Sequence, residues 1–109
     1  MNKVIYNVTV SVDESVHLAW LQWMKEEHIP DVMRTGFFLS HRICRVHEFE
    51  EGGVTYAIQY VCASQADLDR YQQECAPALQ KDHQDKFGGQ TAAFRTLLEI
   101  LHESEETTF

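Results

Sequence analysis

The stretch from Phe37 to Ala63 constrains the possible fold most strongly. It reads FFLSHRICRVHEFE, then EGG, then VTYAIQYVCA, so two long arms meet at Gly52 and Gly53. β-Branched and aromatic residues recur through both arms, and a glycine-containing connection of this length is typical of a β-hairpin. We therefore expect this hairpin at the centre of a single α+β sheet.

The segment before the hairpin predicts a strand followed by a helix. Apolar side chains occupy the even positions from Val4 to Val12, and this period of two is typical of a half-buried strand. Asp13 is placed to cap the N-terminus of a helix that runs to about Glu27. Because Pro30 disfavours helical geometry at the residue before it, this helix should end or kink by His28.

A second helix and a last strand follow the hairpin. Ser64 with Asp67 three residues on resembles a capping box, and the helical pattern then runs on to Phe87. Pro77 falls on the exposed side of this helix, where we expect a kink rather than an end. The apolar segment from Thr91 to His102 predicts the last strand.

The predicted order of elements is therefore βαββαβ. With right-handed crossovers it gives a four-stranded antiparallel sheet that carries both helices on one face, which is the ferredoxin-like arrangement of the α+β class. A chain of 109 residues has room for one hydrophobic core. We predict a single domain over residues 1–102, followed by an acidic tail, residues 103–109, that lacks a core pattern and is disordered.

The sheet face opposite the helices is poor in charge, whereas a solvated sheet face is normally rich in Lys and Glu. Its predicted residues are Ile5, Asn7, Thr9 and Ser11 of the first strand and Thr55, Ala57, Gln59, Val61 and Ala63 of the third. A second sheet is expected to cover it, and a second copy of the chain related by a two-fold axis is the simplest source. We therefore predict a homodimer. The alternatives are an open, mildly polar face or one that binds a different partner.

Composition argues against several classes of partner. With 17 acidic and 9 basic side chains the net charge is -8, which repels phosphate backbones and anionic lipid headgroups. The third strand carries Tyr56 and Tyr60 but lacks the basic, glycine-aromatic pattern of RNA-recognition strands. We therefore expect neither nucleic acid nor membrane binding. The three cysteines form no CxxC pair, which indicates reduced thiols in a cytoplasm.

Three stretches of the chain resemble a known family. They read IYNVTVSVDESVH, AWLQWMKEEHIPDVMRTG and GGVTYAIQY. They are similar to a family of short bacterial proteins, mainly of Bacteroidetes type, that is classed as a domain of unknown function, and the similarity covers nearly the whole chain except the tail. The resemblance implies membership of the dimeric α+β barrel proteins. Related barrels include cofactor-free monooxygenases, isomerases and haem proteins, so the resemblance implies no particular activity and no site residue.

The end of the first helix offers a candidate general base. Glu27 shares a helical stripe with Trp20 and Trp23, and desolvation beside aromatic surface would raise its pKa towards that of a useful base. His28 follows directly and is the second candidate. The competing interpretation, which we favour, is that the last turn frays, Glu27 reaches water and the tryptophans belong to the core.

Basic side chains on the second and last strands offer a candidate anion site. Arg42 and Arg45 lie on opposite faces of the second strand, and the sequence leaves open which face meets the helices. Beside Tyr56 or Tyr60, either guanidinium can hold a small carboxylate or phosphate. Arg95 lies in an otherwise apolar strand and needs a buried partner or a ligand. Together with Trp23 these residues form the predicted ligand site, and the alternative is a structural set of charge pairs at a sheet edge or dimer interface.

Three functions remain open at this point. The six histidines show no HxH, HExxH or Cys/His cluster, so we predict no metal and no cofactor, although one axial histidine would suffice for haem. The first function is a non-catalytic binding or regulatory module that holds a small anionic molecule in a cleft between helices and sheet. The second is a cofactor-free isomerase or monooxygenase with Glu27 or His28 as base. The third is a purely structural or protein-interaction dimer.

Overall fold

The structure, a computed structural model, describes residues 2–48 and 51–104. Four strands form one antiparallel sheet in the order β2-β3-β1-β4, namely β1 Val4–Asp13, β2 Phe38–Arg45, β3 Gly53–Cys62 and β4 Thr91–Glu99. The helical segments are α1 His17–Trp23, a π-helical turn Met24–His28, α2 Ile29–Arg34, α3 Gln65–Glu74, α4 Ala76–Phe87 and a 3-10 turn Gly88–Gln90. This order confirms the predicted ferredoxin-like fold. None of the helices in the described ranges is long and apolar enough to cross a membrane.

The hairpin forms as predicted, but it does not lie at the centre of the sheet. The inner strands are β1 and β3, and β2 is an edge strand. One βαβ crossover joins β1 to β2, and the other joins β3 to β4. The two strands of each crossover are parallel and have one antiparallel strand between them, so β3 lies between β1 and β2, and β1 lies between β3 and β4. In the connection, Gly52 adopts a φ of +74°, and the Val46 N–H donates to the Thr55 carbonyl at 2.9 Å.

The first helix begins later than predicted. Val16 occupies the N-cap position of α1 without a side-chain cap, and Asp13 is still the last residue of β1. The Asp13 carboxylate accepts hydrogen bonds from the Ser15 N–H at 2.9 Å and from the Ser15 hydroxyl at 2.7 Å. Asp13 therefore caps the turn between strand and helix, because its short side chain can reach the backbone two residues on.

A π-helical turn replaces the α-helix that we expected to reach about Glu27. The turn covers Met24–His28, and the helical path continues as α2. Pro30 lies in the first turn of α2, directly after the π-helical turn. Gly36 closes the region at a φ of +82°, and its N–H donates to the Met33 carbonyl at 3.2 Å.

The second helical region consists of two helices rather than one kinked helix. Ser64 caps α3 as predicted, since its hydroxyl accepts a hydrogen bond from the Asp67 N–H at 3.2 Å. Cys75, at a φ of -123°, separates α3 from α4. Pro77 lies in the first turn of α4. A proline ring inside a helix clashes with the carbonyl of the preceding turn, and a break just before Pro77 removes that clash.

The last strand ends at Glu99, short of the predicted His102. One further backbone hydrogen bond joins the Ile100 N–H to the Lys3 carbonyl at 2.9 Å. The tail that we predicted to be disordered falls partly beyond the described ranges, since residues 105–109 lie outside them.

Even-numbered residues of β1 face the helices and form the core. The buried core residues include Val4, Tyr6, Val10 and Val12 of this strand, Ile58 and Tyr60 of β3, and Trp20, Met24, Leu68 and Tyr71 of the helical layer. Odd-numbered residues of β1 lie on the other side of the sheet, where Ile5, Asn7, Thr9 and Ser11 pair with Val61, Gln59, Ala57 and Thr55. We call this helix-free side of the sheet the open face. It is the uncovered surface expected from the sequence.

The register also places the two arginines of β2. Arg42 pairs with Gln59 and therefore lies on the open face. Arg45 pairs with Tyr56 and therefore lies on the side of the helices. Both arginines are exposed because β2 is an edge strand.

Candidate functional site

A cavity of about 480 Å³ lies between the sheet and the helical layer. This volume falls within the ~300–1,000 Å³ that is typical of small-molecule sites. Much of the wall is apolar, from residues such as Val8, Val10, Ile58 and Leu79. The hydroxyl, imidazole and guanidinium groups on the wall come from Tyr6, His28, Tyr60, Tyr71, His83, Thr91 and Arg95.

His28 reaches the cavity from the last position of the π-helical turn. Its ring centroid lies 5.0 Å from the Trp23 ring and 5.8 Å from the His83 ring. Burial, and to a lesser extent the neighbouring His83, lower the pKa of His28 to about 4. At neutral pH the His28 ring is therefore uncharged and offers one hydrogen-bond donor and one acceptor.

His83 joins this group from α4, and our sequence analysis missed it. The Trp20 indole N–H donates to His83 Nε2 at 3.0 Å. Because an indole nitrogen can only donate, Nε2 is the acceptor and the proton of the neutral His83 ring resides on Nδ1. Burial and the positive charge of Arg95 lower the pKa of His83. The sequence did carry a signal, since His83 lies four residues after Leu79 and four before Phe87, on the inner stripe of the helix.

Arg95 reaches the cavity from the edge strand β4. It pairs with Val8 of β1, and this register directs it to the side of the helices. Arg95 Nε donates a hydrogen bond to the Tyr6 hydroxyl at 3.0 Å. Within the described residues no carboxylate forms an ion pair with Arg95. Arg95 is exposed on this edge strand, so its guanidinium presents a positive charge to the cavity outside any ion pair while it also reaches solvent.

Three tyrosines of the wall supply hydroxyl groups that can donate and accept hydrogen bonds. Tyr6 lies in an aromatic cluster with Tyr60 and Tyr71, at centroid distances of 6.2 and 6.1 Å. Burial, with the neighbouring tyrosines, raises the pKa of Tyr60. Burial likewise raises the pKa of Tyr71. Both phenols therefore keep their protons throughout the physiological range of pH.

The cavity brings together only some of the residues predicted from the sequence. His28, Tyr60 and Arg95 line it. Trp23 and Glu27 line a separate and more open groove on the helical surface, together with Asp31, Asp82, Asp85 and Lys86. The Trp23 ring still contacts His28 from outside the cavity, whereas Glu27 is exposed.

The two arginines of β2 do not line the cavity. Arg42 donates from Nε to Gln59 Oε1 at 2.7 Å on the open face. Arg45 lies on the helix side but at the exposed edge of the sheet. In residues 2–48 and 51–104 no group of three or more His, Cys, Asp or Glu side chains is arranged to hold a metal ion.

The sheet order, the helices on one face and the partly open cavity between them define a ferredoxin-like α+β domain with space for a small molecule. Residues 3–101 match the model of a family described as a domain of unknown function, DUF4286, and the chain belongs to that family. No curated protein matches the chain in sequence.

Solved structures with the same fold come from proteins of several descriptions. A mutant of SnoaB, a cofactor-independent oxygenase from Streptomyces nogalater, aligns with a TM-score of 0.70 and 12% identity over 97% of this chain and 100% of that chain. An ethyl tert-butyl ether d (ethd) family protein from Bacillus halodurans aligns at 0.64 and 10% identity over 85% and 96%. A dimeric ferredoxin-like protein from an uncultured marine organism aligns at 0.59 and 11% identity over 95% and 100%. At these identities the likeness shows a shared fold.

Proposed function

We propose that this protein is a homodimeric binding or regulatory module that holds a small anionic molecule in the cavity between its helices and its sheet. The observation that carries the proposal is the guanidinium of Arg95, which lines a cavity of about 480 Å³ and forms no ion pair among the described residues. Tyr60 and His28 join Arg95 as ligand-contacting residues, and Trp23 acts indirectly by supporting the His28 ring. Glu27, Arg42 and Arg45 lie outside the cavity and have no part in this proposal.

A substitution that fills the cavity tests the binding proposal. Ala93 lines the cavity from β4, so Ala93→Trp puts an indole where a ligand would lie. In a thermal-shift screen of metabolites, we expect compounds that raise the Tm of the wild type and leave that of Ala93→Trp unchanged. Ala66→Trp is the matched control, because Ala66 is exposed on α3 and remote from the cavity wall. Compounds that stabilise Ala93→Trp as much as the wild type would contradict the proposal.

The open face supports the homodimer. On this face Phe94 and Leu98 of β4 are 63% and 42% exposed. A second copy would cover these apolar side chains. One protein of the same fold is itself described as dimeric.

Sedimentation equilibrium tests the dimer. We expect the wild type at about twice its chain mass of 12.7 kDa. Phe94→Glu puts a charge on each copy of the open face and should give single chains. Leu18→Glu is the control, since Leu18 is 70% exposed on α1, away from the sheet, and this variant should remain dimeric. A wild type that sediments as a single chain at high concentration would rule out the dimer.

A cofactor-free isomerase or monooxygenase is the second candidate, and His28 favours it. The cavity reaches this uncharged imidazole, which can accept a proton from a bound molecule. However, a pKa of about 4 makes His28 a weak base, because a good general base has a pKa near the working pH. Binding therefore remains the main proposal.

Exchange of the α-protons of 2-tetralone in D₂O, followed by proton NMR, tests the enzymatic candidate. An acceleration by the wild type that is absent in His28→Phe would support it. No acceleration by the wild type, or an equal acceleration by the variant, would count against His28 as a base.

We also propose that the protein acts in a bacterial cytoplasm, with a source of Bacteroidetes type. The resemblance of its sequence to a family of short bacterial proteins supports the source. The free thiols of Cys44, Cys62 and Cys75 support a reducing compartment.

A further inference from the structure

The cavity wall is positively charged in a chain that is acidic as a whole. The chain has 17 acidic and 9 basic side chains, yet the described wall contains Lys81 and Arg95 and no Asp or Glu. Lys81 is exposed and forms an ion pair with Asp85 at 2.6 Å, which offsets its charge. Arg95 has no such partner in the described ranges. Arg95 is also exposed, so a single positive charge outside an ion pair is available to a ligand.

The hydrogen bond between Arg95 and Tyr6 leaves hydrogen-bond donors on both side chains available to an oxyanion. Because Arg95 donates from Nε, its two terminal Nη groups remain for a ligand and make no hydrogen bond in the part of the chain described here. The Tyr6 oxygen accepts that bond, so its own proton is free to donate elsewhere. Paired guanidinium N–H groups match a carboxylate, which accepts two parallel hydrogen bonds.

The rest of the wall adds polar groups without charge. Burial raises the pKa of Tyr60 and of Tyr71, so both keep their protons. Burial lowers the pKa of His28 and of His83, so both imidazoles are neutral at pH 7. The remaining wall combines apolar side chains with the uncharged polar side chains of Gln80, Gln84 and Thr91. A second charge on the ligand would find no partner there, and burying an unpaired charge is expensive.

We infer that the cavity binds an apolar monocarboxylate, with its carboxylate on Arg95 and Tyr6 and its apolar body against Ile58 and Met24. Both of these apolar residues line the cavity. This inference rests on the proposed binding function and names the ligand class for it. A cation is excluded as the ligand, because the site presents a positive charge. A dicarboxylate is disfavoured, because the site presents only one positive charge that is outside an ion pair.

Four naphthalene probes of similar size test the ligand class by isothermal titration calorimetry at pH 7. They are 2-naphthoate, the neutral 2-naphthalenemethanol, the dianion 2,6-naphthalenedicarboxylate and the cation 2-naphthylmethylammonium. We expect 2-naphthoate to bind about 10- to 100-fold more tightly than the neutral alcohol, which is the usual gain from hydrogen bonds to a charged group. The dianion should bind more weakly than the monoanion, and the cation most weakly of all.

Arg95→Gln removes the charge and should weaken 2-naphthoate binding by about 10- to 100-fold. Its binding of 2-naphthalenemethanol should stay within about two-fold of the wild type, because the neutral probe makes no use of the charge. Lys81→Gln is the matched control, since Lys81 is a second cation on the same wall that is already paired with Asp85. It should change the binding of neither probe by more than about two-fold, as expected for an exposed ion pair.

The outcomes separate the ligand class from the proposed site. If the wild type binds 2-naphthoate and 2-naphthalenemethanol equally, or if Arg95→Gln weakens both alike, the monocarboxylate inference is wrong while the cavity remains a binding site. If none of the four probes binds, or if Ala93→Trp binds 2-naphthoate as well as the wild type does, the proposed site is itself wrong and the ligand class falls with it.

Discussion

His28 and His83 are two imidazoles that the fold keeps uncharged. Their ring centroids lie 5.8 Å apart, and burial is the main cause that lowers the pKa of each. In an unfolded chain a histidine titrates near pH 6.5. Between about pH 6.5 and the folded pKa of His28, about 4, the unfolded state therefore binds more protons than the folded state. Stability must fall as the pH drops through that window and is fully present above it.

A substitution at His28 makes this linkage measurable. We predict that the wild type loses free energy of unfolding between pH 7 and pH 4.5, and that His28→Phe loses about 2 kcal/mol less over the same range. The carboxylates titrate in both proteins, so their contribution cancels in the comparison. Urea denaturation at a series of pH values gives the two profiles. Parallel profiles would show that His28 titrates normally in the folded protein.

Single residues also show where the sequence was informative. Arg95 stood out as a lone charge in an apolar strand, but the expectation that it needs a buried partner or a ligand does not hold, because β4 is an edge strand and Arg95 is exposed. His83 was identifiable from its spacing on α4, four residues after Leu79 and four before Phe87. The faces of Arg42 and Arg45 could not be derived, because the register of β2 depends on its long connection to β3 and on an irregularity next to Phe38.

At the scale of elements, two interruptions of the helices help to build the site. The π-helical turn ends at His28, and α4, which carries His83, begins after the break at Cys75. Periodicity and the two prolines predicted that both helical regions would be disturbed. They could not predict the form of the disturbance, because a proline removes one N–H and restricts one neighbour without fixing how the chain continues.

The end of α2 offers a test of the local backbone argument. Gly36 has a φ of +82°, and a Cβ added there would meet no atom within 4 Å. Gly36→Ala should therefore lower the free energy of unfolding by about 1 kcal/mol through backbone strain alone. Gly89 is the matched control, because it is equally free of contacts but has no positive φ. Chemical denaturation that finds equal losses for Gly36→Ala and Gly89→Ala would contradict this account.

At the scale of the whole molecule, the order of elements was enough to predict the fold. Two βαβ crossovers leave few topologies open, so β1 and β3 become the inner strands of one antiparallel sheet. The cavity could not be predicted in the same way, because its volume depends on how α4 and the π-helical turn lie over the sheet. The two sides of the sheet are therefore chemically distinct, with a cationic cavity beneath the helices and a nearly uncharged open face opposite.

Methyl NMR on isotope-labelled protein tests the central claim most directly, that a small molecule occupies the space between helices and sheet. The methyl groups of Ile58 and Met24 belong to residues that line the cavity, whereas Ile5 lies on the open face. On titration with 2-naphthoate we predict shifts at Ile58 and Met24 and none at Ile5. A saturating titration that leaves Ile58 and Met24 unchanged would contradict the account.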